Sequence, residues 1–223
     1  MTSVSEAVAR RRSVRAFLDT PVDLGLLRDI IAKATRAPSG GNLQPWRLHV
    51  VAGEALARLK AAAMASLAHS PLGEGAEYAI YPERLADPHR ARRFAVGEAM
   101  YAALDVGRED KVARRQWFAR NYAFFGAPIG LFCYVPRDHG PPQWSDCGMM
   151  LQTLMLLLVE AGLDSCPQEA WAILPKTVGA AVDAGEDEML FTGMAIGYRD
   201  PDAAVNAFEV ERAALNEVLT VHV

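Results

Sequence analysis

Arg10-Arg11-Arg12-Ser13-Val14-Arg15-Ala16-Phe17 places four arginines within six positions beside a hydroxyl. Such a cluster suits a phosphate monoester, which carries about −1.5 to −2 charge and accepts charge-assisted hydrogen bonds of about 1.5–3 kcal/mol each. Taken alone, the run reads more readily as a solvated charge face at a helix end. One helix later comes Pro38-Ser39-Gly40-Gly41-Asn42-Leu43-Gln44-Pro45-Trp46. Its glycine pair lets main chain pass directly against a planar ligand, and in isolation it reads as readily as a turn.

Upstream, Ser3-Val4-Ser5-Glu6 fits a capping box and predicts a short helix that leaves the arginines at or just past its C-terminal end. Between the clusters, Asp23 is expected to cap a helix in which Leu24, Leu27, Ile30, Ile31 and Ala34 recur at helical spacing, ended by Ala37-Pro38. Arg47–Ala52 alternates as a half-buried strand, with Leu48, Val50 and Ala52 expected inward. An alanine-rich helix over 54–68 follows, then an irregular stretch, 70–88; loops that long are often binding loops or lids.

Helices are predicted over 89–105 and 109–125, then a β-branched and aromatic strand over 129–135. The helix over 143–161 is apolar on nearly every side and should lie centrally, against the sheet or another subunit, ending at Gly162. A short helix starting at Pro175, a strand over 188–198 and a polar tail with scattered apolar anchors complete the chain. Helices mixed with few strands, without regular βαβ alternation, indicate an α+β fold.

At 223 residues the chain fits a single domain, 1–223, with a C-terminal extension over about 199–223. Hydrophobic content of 51%, charged content of 22% and a net charge of −4 fit a folded soluble protein with no global field for nucleic acid. Cys133, Cys147 and Cys166 show no C-x-x-C spacing and the N-terminus shows no secretory apolar stretch, so a reduced, cytoplasmic setting is expected. Met149–Val159, the longest apolar run, is shorter than the ~20 residues that span a bilayer. The histidines never pair at metal spacing, so no metal site is expected, and neither a nucleophile elbow nor G-x-G-x-x-G is present.

Arg11-Arg12-Ser13-Val14-Arg15-Ala16-Phe17, Pro38 through Trp46, Gly162-Leu163-Asp164-Ser165-Cys166-Pro167-Gln168-Glu169 and Gly197-Tyr198, in that order, resemble the nitroreductase family of flavoproteins. Tyr81-Pro82-Glu83-Arg84-Leu85, Arg92-Arg93 and Phe124-Phe125-Gly126-Ala127-Pro128 look most like its nitrobenzoate reductase branch. The resemblance implies helices around a mostly antiparallel sheet, an intertwined homodimer, and one FMN in each of two clefts built by both subunits. It also implies NAD(P)H as a transient co-substrate in a ping-pong cycle that reduces nitroaromatics, with quinones as further acceptors.

Residue by residue, Arg11, Arg12, Ser13 and Arg15 match positions directed at the FMN phosphate, ribityl chain and pyrimidine edge. A cation there favours the reduced anion. Pro38, Ser39, Gly40 and Asn42 match the loop that reaches the partner's flavin; relatives often carry serine where Gly40 stands, which leaves a backbone contact. Pro167, Gln168 and Glu169 match a segment lying along the flavin, acting through main chain near N5 more than through the Glu169 carboxylate. Arg212 matches a phosphate-binding arginine, whereas Glu209 and Val210 stand where relatives are often basic or polar.

No side chain is assigned a catalytic role beyond that backbone. Phe124 is a candidate for contact with a small aromatic substrate, although Trp117, Phe118, Tyr122, Phe124 and Phe125 together read as core. Other activities on this fold remain open: reductive dehalogenation, flavin destruction, enoate or dehydropeptide oxidation, and non-catalytic FMN carriage.

Overall fold

The computed structural model describes residues 2–223. Strands β1 (Arg47–Ala52), β2 (Ile129–Pro136), β3 (Asp164–Gln168) and β4 (Glu188–Gly197) form one sheet in the order β1-β2-β4-β3. Every neighbouring pair is antiparallel. Eight α-helices accompany it among the described residues: α1 (Val4–Arg10), α2 (Leu24–Ala34), α3 (Gly53–His69), α4 (His89–Ala103), α5 (Lys111–Ala119), α6 (Pro141–Glu160), α7 (Pro175–Val182) and α8 (Leu215–Val218). The architecture is α+β, as the element order predicts. No helix is long and apolar enough to cross a membrane, among the described residues.

The central strands β2 and β4 are apolar at successive positions because both faces of the sheet are covered. On one face Leu131, Cys133, Val135, Met194 and Ile196 pack against Leu27 and Ile30 of α2 and Met150, Leu154 and Leu158 of α6. On the other, Phe132, Tyr134 and Ala195 meet Leu56 and Leu59 of α3, Val178 of α7 and an aromatic group around Trp171. Each fully buried side chain of this size contributes about 1.5–3 kcal/mol.

Double cover corrects the reading of β1. Leu48 and Ala52 do lean on the α2/α6 cluster, but Val50 is 39% exposed while Val51 is buried at 6%. β1 is an edge strand whose α2/α6 side is only partly roofed, and α3, starting at Gly53, folds back over Val51.

The helix expected over 109–125 also needs correction. α5 stops at Ala119, and Arg120–Gly126 forms a 3-10 stretch in which Phe124 and Phe125 take left-handed φ of 51° and 54°. That conformation costs a non-glycine residue about 1–2 kcal/mol. Aromatic burial offsets it: Phe124 stacks on Trp171 at 4.7 Å between ring centroids. Two glycines admit the rings, since a Cβ on Gly130 would lie 2.5 Å from Phe124 and one on Gly193 would lie 2.5 Å from Trp171. Phe124 is wholly buried. It belongs to the core and not to a substrate pocket.

α6 buries Cys147, Met150, Leu151, Leu154, Leu158 and Val159, but Ser145, Gly148, Met149 and Gln152 form an exposed stripe at helical spacing. The irregular segment after α3 is stitched down in its first half. Glu74 accepts from the amides of Lys176 (2.8 Å) and Thr177 (3.0 Å), the Thr177 hydroxyl and Ser66 Oγ (2.9 Å), capping α7. Glu77 pairs with Arg137 and accepts from Leu190 N, and the Tyr78 hydroxyl donates to Phe191 O at 2.5 Å.

Candidate functional site

α1 starts in the expected capping box between Ser3 and Glu6 and ends at Arg11, whose extended ψ of 124° turns the chain out of the helix. The arginine segment then runs beside β3. Ser13 bridges Ser165 in parallel, Val14 N donates to Ser165 O at 3.1 Å, and Phe17 bridges Arg199. Val14 packs into the core, and Ser13 and Arg15, alternating with it along this extended segment, face the cleft.

Asn206 locks the arrangement. Its Oδ1 accepts from Arg15 N at 2.8 Å, and its Nδ2 donates to Ala16 O (2.8 Å) and Asp200 O (2.9 Å). Nothing local in the sequence marks it; its role depends on a pairing between the two ends of the chain.

Arg11, Arg12, Ser13 and Arg15 thereby line a cleft of about 560 Å³, together with Val205, Asn206, Phe208, Glu209, Val210 and Arg212 from the C-terminal part of the chain. Val8 and Ala9 of α1, Val96 of α4 and Gln152 of α6 complete the lining. None of these arginines forms an ion pair among the described residues. Burial lowers the pKa of Arg11, and the nearby charge of Arg212 lowers it further. A cleft that gathers four arginines, none of them ion-paired among the described residues although Glu209 is also in its lining, can hold an anion.

Pro167 and Gln168 end β3, the strand that Ser13 bridges, and Glu169 opens the 3-10 turn that follows. Pro167 is exposed, while Gln168 is 2% exposed and turned inward, where its Nε2 donates to Asn121 O at 2.8 Å. Only the main chain of Gln168 remains for the open side. Glu169 keeps solvent access, yet its surroundings desolvate the carboxyl and raise its pKa, against the pull of the Tyr81 hydroxyl and the Arg93 charge. The Arg93 guanidinium lies 4.0 Å above the Tyr81 ring.

Pro38, Ser39, Gly40 and Asn42 are not among the residues lining the arginine cleft. Their loop follows α2 and leans on the N-terminal part of α6, where Gly40 N donates to Asp146 Oδ2 at 3.2 Å. One chain therefore gathers Arg11, Arg12, Ser13, Arg15 and Arg212, with Pro167 and Gln168 ending the adjoining strand, and leaves the glycine loop elsewhere. Asp146 was missed in the sequence; the available signal was a carboxylate near the start of a helix otherwise read as apolar.

Comparison with known proteins bears on this geometry. The Nitroreductase family matches residues 8–198. The chain is 33% identical over 217 residues to a chloronitrobenzene nitroreductase of Comamonas testosteroni, covering 97% of this chain and 96% of that protein. It is 36% identical over 205 residues to a 4-nitrobenzoate reductase of Pseudomonas putida, covering 92% and 89%. Among solved structures, the FMN and NADPH-dependent nitroreductase NfnB from sphigopyxis sp. strain HMH superposes with a TM-score of 0.96 at 53% identity, covering 99% of each chain.

Proposed function

The chain belongs to the nitroreductase family, and from that membership we propose that it is an FMN-dependent oxidoreductase that draws electrons from NAD(P)H and reduces nitroaromatic compounds. The observation that carries the reading is the convergence of Arg11, Arg12, Arg15 and Arg212 beside Ser13, with none of the four arginines ion-paired among the described residues. Like charges held together in a fold call for a dianion, and the terminal phosphate of FMN fits that charge and donor set.

On this reading Arg11 and Arg212 bind the phosphate and Ser13 the phosphate or ribityl oxygens. Arg15, fixed through its backbone by Asn206, holds positive charge at the pyrimidine edge, with Arg12 beside it. The main chain of Pro167, Gln168 and Glu169 would hold the flavin ring. FMN bound there would supply two-electron transfer between the nicotinamide and the nitro compound. The protein's part is orientation, charge and access for two substrates that use one site in turn.

Pro38, Ser39, Gly40 and Asn42 then belong to the flavin site of a second copy, so the protein is a homodimer with two shared sites. The exposed stripe of α6 through Gly148 and Met149 is free for that contact. Residues 1–223 act as one FMN-binding domain with an extension over about 199–223. Three free, buried cysteines agree with a cytoplasmic setting.

Stopped-flow mixing tests the reading. FMN-loaded protein should bleach on adding NADPH or NADH and recover its colour anaerobically on adding nitrobenzoates or chloronitrobenzenes, the compounds that the relatives' names suggest first. Failure to bleach would leave a flavin carrier. Bleaching with no recovery on any nitroaromatic would point to another activity on this fold.

A further inference from the structure

Asp146 is 5% exposed in the second turn of an otherwise largely apolar helix, and no ion pair among the described residues involves it. A buried carboxylate without a cation is costly, and it persists where its hydrogen bonds matter. Its partner is the amide of Gly40, at 3.2 Å.

The loop that Gly40 opens is otherwise closed upon itself. Asn42 N donates to Ser39 O (3.0 Å), Leu43 N to Gly40 O (3.1 Å), Gln44 N to Ser39 Oγ (3.0 Å) and Gln44 Nε2 to Asn42 O (3.3 Å). Gly41, Asn42 and Gln44 all hold left-handed φ, at 58°, 59° and 50°. Among the described residues, the bond to Asp146 is the one hydrogen bond that ties residues 39–44 to the rest of the fold. The tie is polar and not steric, since a Cβ on Gly40 would sit an ordinary 3.9 Å from Asp146 Oδ2.

α6 also carries Gln152, which lines the arginine cleft. Six residues of helix separate the two positions by about 9 Å along a rigid axis. A single helix thus holds the glycine loop and also contributes a residue to the arginine cleft.

We propose that Asp146 is a positioning residue for the cofactor, fixing the strained Ser39–Gln44 loop through the Gly40 amide in the shape that meets FMN. The proposal rests on the reading above, in which this loop contacts the flavin. Asp146 reaches the cofactor only through the loop, so its effect is on affinity and loop order.

The test compares Asp146→Ala, Asp146→Leu and Asp146→Asn in the full-length protein by amide hydrogen exchange, FMN titration of the apoprotein and thermal melting. Asp146→Ala should lose protection at the Gly40 amide and weaken FMN at least tenfold. Asp146→Leu, which fills the space and secures folding, should do the same. Asp146→Asn, which keeps an acceptor, should recover most of both. Arg11→Ala serves as the control that weakens FMN without changing loop exchange. If Asp146→Ala and Asp146→Leu bind FMN like the wild type while Arg11→Ala loses it, the inference is overturned and the cofactor reading stands. If Arg11→Ala also keeps its FMN, the cofactor reading fails and this inference fails with it. Lower melting temperatures at unchanged FMN affinity would mark Asp146 as a purely structural residue and overturn the proposal.

Discussion

Arg212 stands near enough to Arg11 for its charge to depress the pKa of Arg11, beyond the depression that burial already causes. Residues from opposite ends of the chain thus share one cleft, and two cations there repel in the apoprotein.

That repulsion predicts that Arg11→Ala or Arg212→Ala weakens FMN without weakening the fold. Losing one charge-assisted contact of about 1.5–3 kcal/mol raises the dissociation constant roughly 10- to 100-fold. Flavin titration reads the affinity, and the melting temperature of the apoprotein should hold steady or rise. Inorganic phosphate should stabilise the wild-type apoprotein and do so less in either variant. Unchanged affinity in both would place the phosphate elsewhere.

Assembly gives a second expectation. Met149 is 38% exposed on the stripe of α6, so Met149→Lys should disturb contact between copies while leaving the monomer folded. Sedimentation should show a dimer for the wild type and dissociation for the variant, with FMN weakened in parallel if the site is shared. A wild-type monomer that binds FMN fully would remove Ser39, Gly40 and Asn42 from the partner's flavin.

Phe124 offers a third. Its ring stacks on Trp171 deep in the core, so Phe124→Ala should cost about 3–5 kcal/mol. Phe124→Leu should fold and keep the wild-type order of kcat/KM across a nitroaromatic panel. A reordered panel would return Phe124 to the substrate pocket.

A pH effect follows from Glu74. Burial pushes its carboxyl up, but hydrogen bonds from Thr177, Ser66 and Lys176 outweigh burial and hold the pKa below the usual 4.5. A carboxyl depressed in the folded state stabilises fully above its unfolded pKa, and the benefit is lost as pH falls through the folded value. Glu74→Gln should therefore lower the melting temperature near neutrality and lose less than the wild type does as pH drops below about 4.5. Parallel melting curves for the two proteins across that range would contradict the capping role.

Local chemistry made much of this legible in advance. The Ser3–Glu6 box and the Asp23 cap formed as read, because capping depends on residues three positions apart. The α+β class, the apolar β2 and β4 and the long α6 also followed from periodicity. The arginine run was legible as a cluster, but its neutral alternative, a solvated helix end, was set aside in the sequence only by the order of later motifs.

Tertiary structure decided what depends on distant partners. Val51 faces inward where Val50 was expected, because β1 is an edge strand and α3 returns over it. Phe124 and Phe125 leave the helix because Gly130 and Gly193, on two separate strands, open room for stacked rings. Asn206 and Asp146 act on backbone groups of Arg15 and Gly40, and no spacing in the sequence records such a bond. Helix caps and periodic faces are set by neighbours a few residues apart, so the sequence determined them; the cleft joining Arg11 to Arg212 exists only after the two ends of the chain have packed against each other.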